Sequence, residues 1–119
     1  MSKSRALVIE DDEELALVFS EALKAADFDT RVITDGRAAQ NFLAGGQPPS
    51  LILLDLHLPN IDGVTLFEQI QADQRYSDTK VIVATADDRL GRTLDERANL
   101  VLLKPVDFFQ LQRLAERFR

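Results

Sequence analysis

The stretch Leu51–Gly63 reads LILLDLHLPNIDG and sets a carboxylate, Asp55, directly behind four apolar side chains. A strand buried on both faces of a sheet stays apolar along its length, so an acid at its end is either a solvated cap or a functional group. The segments on either side of it decide which.

Upstream, ALVI at residues 6–9 reads as another short buried strand, followed at once by acids. From Glu13 to Ala26 the residues Leu15, Val18, Phe19, Ala22, Leu23 and Ala26 recur at spacings of three and four, one helical stripe. Thr30–Thr34 (TRVIT) is β-branched and predicts a strand, Asp35-Gly36 a turn, and Arg37–Ala44 a second helix closed by Gly45-Gly46 and the prolines at 48 and 49. Beyond Asp55, the turn Pro59–Gly63 leads into a third helix carrying Val64, Leu66, Phe67 and Ile70 to about Ala72. Asp73–Thr79 reads as a polar loop, and Lys80–Ala84 and Leu100–Leu103 as the last two strands. A final helix, capped by Asp107, carries Phe108, Leu111, Leu114 and Phe118 on one face. Between Asp87 and Asn99 the pattern is weak: charged, interrupted by Gly91, with only Leu90, Leu94 and Ala98 as a stripe. A short or mobile fourth helix is expected there.

Strands alternating with helices predict an α/β fold, a doubly wound five-stranded parallel sheet with helices on both faces and right-handed crossovers. The 119 residues suit one domain, spanning 1–119. In such sheets ligands bind beyond the carboxyl ends of the strands.

Composition narrows the function. The chain carries a net charge of −6 with only 14 dispersed basic residues, which argues against direct nucleic-acid binding. With no cysteine and one histidine, thiolate and multi-histidine metal sites are excluded, so any metal must be held by oxygen. The amino-terminal MSKSRALVIEDDEE is unlike a signal peptide and no stretch approaches the ~18 apolar residues of a membrane span, which predicts a cytoplasmic protein with no membrane role.

Just past the apolar runs stand Glu10 and Asp11, then Asp55, Thr85 and Lys104. All five belong at one rim of the predicted sheet. Two carboxylates about 4 Å apart repel by ~4 kcal/mol at an effective dielectric near 20, so three together call for a cation or a proton. An all-oxygen site of this kind suits magnesium, or manganese, and phosphate chemistry. In that setting Asp55 can act as a nucleophile on a phosphoryl group, with Thr85 and Lys104 orienting its oxygens. Taken singly, each residue has a plainer reading: Glu10–Glu14 as a solvated helix start, Thr85 as a helix cap, Lys104 as a solvated strand end.

The acidic pair Glu10-Asp11, the block DLHLPNIDG, the Thr85-Ala86 pair in VIVATA and the Lys104-Pro105 pair in LLKPVD together resemble the receiver domain of two-component response regulators, the CheY-like family. The resemblance covers essentially the whole chain and implies strand order 2-1-3-4-5. It implies that Asp55 is the phosphoacceptor, charged from a phosphohistidine of a sensor histidine kinase or a phosphotransfer protein. It further implies that Asp11 and Asp55 ligate magnesium directly, Glu10 through water, and His57 through its backbone carbonyl. The acidic pair is Glu10 and Asp11 because these lie 45 and 44 residues before Asp55, which leaves Asp12 as the first helix cap. Thr85 and Lys104 would contact the phosphoryl group, with Thr85 moving toward it. His57 and Asp87, each two residues beyond a site residue, would tune the lifetime of the phosphoryl group, and the Lys104-Pro105 bond would be cis. Output would pass through the surface formed by the fourth helix, fifth strand and fifth helix, to a downstream protein, an output domain or a second copy in a homodimer.

Two departures stand out. The position three before Lys104, aromatic in many receivers, is Val101, and Lys104 follows Thr85 by only 19 positions, with the shortfall in the fourth helix. Arg119 falls within or just after the last helix, which leaves a stand-alone regulator and a piece of a longer protein both open. Two other functions compete: a magnesium phosphohydrolase with an aspartate nucleophile, and a receiver-like scaffold that is never phosphorylated. Hydrolases of the haloacid dehalogenase type place a second acid two residues after the nucleophile, where this chain has His57, and the scaffold predicts a lost site residue, whereas none is lost.

Overall fold

The computed structural model describes residues 3–119, so Met1 and Ser2, which begin the amino-terminal stretch read above, lie outside the described residues. Five strands, β1 (Ser4–Ile9), β2 (Phe28–Ile33), β3 (Leu51–Leu54), β4 (Lys80–Thr85) and β5 (Leu100–Leu103), form one sheet in the order β2-β1-β3-β4-β5. Every neighbouring pair is parallel. The helices α1 (Glu13–Ala25), α2 (Gly36–Ala44), α3 (Gly63–Ala72), α4 (Asp88–Leu94) and α5 (Phe108–Glu116) follow the strands in turn. This is the doubly wound α/β sheet that the sequence predicts.

The runs in β1, β3 and β4 are continuously apolar because both of their faces are covered. Ala6, Val8, Leu51, Leu53, Ile82 and Ala84 face α1 and α5, where Phe19, Leu23 and Leu111 meet them. The alternate residues Leu7, Ile9, Ile52, Leu54, Val81 and Val83 face α2, α3 and α4, where Leu43, Leu66, Phe67 and Leu94 meet them. Each of these larger side chains is worth about 1.5–3 kcal/mol when fully buried, so strand register and helix placement are fixed together. Each helix begins on an aspartate whose side chain accepts backbone amides: Asp12, Asp35, Asp62, Asp87 and Asp107 in order.

Some boundaries differ from the sequence reading. β2 runs from Phe28 and stops at Ile33, two residues earlier than expected at its start, because Phe28 is buried and pairs with Ser4. β1 correspondingly starts at Ser4. The expected polar loop after α3 contains one 3-10 turn, Gln74–Tyr76, whose Tyr76 hydroxyl donates to the carbonyl of Leu43 at the end of α2. α4 has seven residues and ends at Leu94, while Ala98 continues its buried stripe from the following turn.

Candidate functional site

Backbone pairing carries the site residues to one rim. The amide of Asp55 donates to Ile9 at 2.9 Å, that of Glu10 to Ile33 at 3.1 Å, and that of Lys104 to Thr85 at 2.8 Å. Adjacent parallel strands therefore end in step, and the residues that follow them converge at their carboxyl ends.

Glu10 is 1% exposed and Asp55 5%, whereas Asp11 is open to solvent. One carboxylate oxygen from each of the three lies within 4.8 Å of the others. Lys104 Nζ reaches Glu10 Oε1 at 2.5 Å and Asp55 Oδ1 at 3.4 Å. One ammonium thus pairs with two of the three clustered carboxylates. Burial pushes the Glu10 carboxyl up to about 7; the Lys104 hydrogen bond opposes this and the Asp55 charge adds to it. Burial alone would lower Lys104, yet its hydrogen bond to Glu10 and the charges of Asp55 and Glu10 raise it, so the lysine stays cationic, and the crowding of acids is expressed at Glu10, whose ionised form is disfavoured. A buried, under-neutralised, all-oxygen cluster with one open side fits a hard divalent cation such as magnesium or manganese, which keeps water and phosphate oxygens in its remaining positions. Glu10, Asp11 and Asp55 are the side chains that could hold it.

Thr85 is fully buried at the end of β4, and its hydroxyl accepts the amide of Asp87 at 3.0 Å. The helix cap is therefore Asp87, with Thr85 forming the turn before it. The His57 amide donates to Asp55 Oδ1 at 3.4 Å, and its ring Nε2 lies 3.2 Å from Asp87 Oδ2. Asp87 is held below the usual carboxylate range by the Leu90 amide, with His57 contributing. The imidazole thus bridges the loops after β3 and β4. Asp12 caps α1 by accepting the amides of Glu14 and Leu15, and the Lys104-Pro105 peptide is cis.

Two features of the rim escape the sequence. Lys104 is bound more closely to Glu10 than to Asp55, a pairing 94 residues apart that no local pattern signals. The loop after Asp55 is also tied to the start of α2: Asn60, at φ 71°, donates its side-chain amide to Asp35, and Gly36 donates to Pro59 at 3.1 Å. Gly63 closes the same loop by donating to Leu56 at 2.8 Å, and a Cβ there would overlap the Asp55 carbonyl. The glycine in DLHLPNIDG is required by that close approach.

Residues 6–116 match the family model for the response regulator receiver domain. The chain belongs to that family. It is similar to the probable methanogenesis regulatory protein FilR2 of Methanothrix harundinacea, 33% identical over 95% of this chain and 79% of that protein. It is also similar to the DNA-binding dual master transcriptional regulator RpaA of Synechocystis, 36% identical over 87% of this chain and 44% of that protein, so it spans less than half of this second relative. Among solved structures it resembles the manganese-bound form of response regulator Rcp1, with a TM-score of 0.81 and 28% identity over 94% of this chain and 91% of that one. Among the described residues of this receiver domain no helix is long and apolar enough to cross a membrane.

Proposed function

We propose that this receiver domain accepts a phosphoryl group on Asp55 in a magnesium-dependent reaction and thereby switches a protein-binding surface. The observation that carries this reading is the placement of Asp55: a buried carboxylate, 3.4 Å from the Lys104 ammonium and within 4.8 Å of ligand atoms of Glu10 and Asp11. In the transfer, an Asp55 carboxylate oxygen attacks phosphorus while the bond from phosphorus to the donor atom breaks. When the donor is a phosphohistidine of a sensor histidine kinase or phosphotransfer protein, the electron pair stays on the imidazole nitrogen and a mixed acyl phosphate remains on Asp55. Lys104 holds one phosphoryl oxygen and the Thr85 hydroxyl turns to another. Magnesium, when bound, would supply positive charge to the same oxygens. Asp11 and Asp55 would hold it directly, Glu10 through water, and the backbone carbonyl of His57 would complete the protein ligands.

The receiver domain works in the cytoplasm, signals through α4, β5 and α5 to a downstream protein or an output domain, alone or as a homodimer, and does not itself touch nucleic acid. It turns over no external substrate; its chemistry is self-phosphorylation and loss of the phosphoryl group. The test is phosphorus NMR of the protein with magnesium and acetyl phosphate, beside an assay with p-nitrophenyl phosphate. An acyl phosphate resonance on the protein without steady hydrolysis of the ester supports the reading. Steady ester turnover would show a hydrolase instead.

A further inference from the structure

The family's aromatic reporter is replaced by Val101, yet α4 is seated directly on the rim threonine. Gly91, in the middle of α4, is buried, and a Cβ built there would lie 3.2 Å from the Thr85 methyl and 3.2 Å from a Val101 methyl. Only the missing side chain lets the helix backbone come this close. The approach is not a backbone requirement of the helix, since Gly91 donates an ordinary helical bond to Asp87 at 2.9 Å and glycine costs about 1 kcal/mol there relative to alanine. The fold accepts that cost at one of the few positions where α4 meets both β4 and β5.

We infer that Gly91 couples α4 to the phosphorylation site by packing against Thr85 and Val101, in place of an aromatic relay. This rests on the function proposed above and goes beyond it by naming the contact that carries the signal. The Thr85 hydroxyl and methyl share one Cβ, so they move together between staggered positions. When the hydroxyl rotates about χ1 toward a phosphoryl oxygen it leaves the Asp87 amide, which it accepts at 3.0 Å in the turn that starts α4. The methyl then leaves the face of Gly91. The helix loses its stop on one side and its first-turn anchor on the other, and resettles toward Val101 and the half-exposed Leu103. Because α4 is only seven residues long, with Leu94 its fully anchored apolar side chain, its opening free energy is small and this one contact is a large share of it.

The experiment uses the full chain with magnesium and beryllofluoride, a stable phosphoryl mimic, and reads hydrogen exchange at the amides of residues 90–94. Intact mass after acetyl phosphate reports acceptor function separately. The parent chain is expected to change exchange in α4 about fivefold on occupancy, and Gly91→Ala, which holds the helix a few tenths of an ångström off Thr85, to keep the phosphoryl adduct but lose most of that response. Adding Val101→Ala to Gly91→Ala removes the methyl on the far side of the contact and restores the response. Alanine raises helix propensity, so loss of folding does not confound the variant. A phosphorylated Gly91→Ala chain whose α4 responds like the parent overturns the coupling alone. No adduct on the parent chain overturns the acceptor reading, and the coupling with it.

Discussion

Lys104 Nζ stands 2.5 Å from Glu10 Oε1, closer than the 3.4 Å that separates it from Asp55. The lysine is thus first the counter-ion of Glu10, the buried acid after β1. Removing one partner of a buried ion pair leaves the other charge uncompensated, at a cost of about 3 kcal/mol or more. Lys104→Met should therefore destabilise the metal-free protein at pH 8 by about that amount, and far less at pH 5, where Glu10 takes a proton. Urea unfolding at the two pH values checks this; an equal loss at both would show that the pair carries no net charge coupling.

Glu10 by itself predicts the pH slope. Its carboxyl sits at about 7 in the folded protein against 4.5 ordinarily, so the fold disfavours its ionised form. The sign follows: its contribution to stability is complete below 4.5 and is lost as pH rises through about 7. With chelator present, the urea midpoint of the parent should fall across that window relative to Glu10→Gln, in which the slope from this site vanishes. A difference between the two proteins that is flat with pH contradicts the assignment.

Asp55→Asn should stabilise the metal-free protein at neutral pH, because it removes one of three carboxylates crowded within 4.8 Å. A gain of about 1 kcal/mol is expected, a fraction of the ~4 kcal/mol that two bare carboxylates 4 Å apart exchange at an effective dielectric near 20. Magnesium should raise the Tm of the parent and leave that of the variant nearly unchanged, since a ligand stabilises only the state that binds it. Thermal unfolding with and without magnesium reads both effects, and a variant that melts below the metal-free parent counts against charge crowding.

The two glycines Gly63 and Gly45 should respond in opposite ways. A Cβ at Gly63 overlaps the Asp55 carbonyl and the Leu56 backbone, whereas one at Gly45 meets nothing within 4 Å. Gly63→Ala should cost about 2 kcal/mol or more, the range of overpacked cores, and displace the acceptor loop. Gly45→Ala should lie within about 0.5 kcal/mol of the parent. Comparable effects at both positions would remove close approach as the reason for Gly63.

Much of the architecture is legible because β1, β3 and β4 carry short apolar runs buried on both faces and because a charged residue follows β1, β3 and β5. Leu51–Leu54 and Leu100–Leu103 match the sequence reading to the residue, each being an unbroken apolar run ended by a charged side chain. β2 was read late because its exposed residues Asp29, Arg31 and Val32 make an edge strand look irregular, while Phe28 alone shows where it enters the core. The rim residues could be collected because a parallel sheet brings all its carboxyl ends to one side. What the sequence withheld was partnership. That Lys104 binds Glu10 most closely, that Asn60 reaches Asp35, and that a side chain at position 91 would crowd Thr85 and Val101 all depend on how separate elements pack. The weak pattern of α4 was itself informative: the helix is short, and its glycine is a contact point.

If Asp55 is a magnesium-dependent phosphoacceptor, intact mass will show it. The parent chain and Asp55→Asn are each incubated with acetyl phosphate, with and without magnesium, and weighed. The parent should gain one phosphoryl adduct only when magnesium is present, and Asp55→Asn none under either condition. An adduct that persists on Asp55→Asn, or a parent that gains none with magnesium bound, contradicts that role.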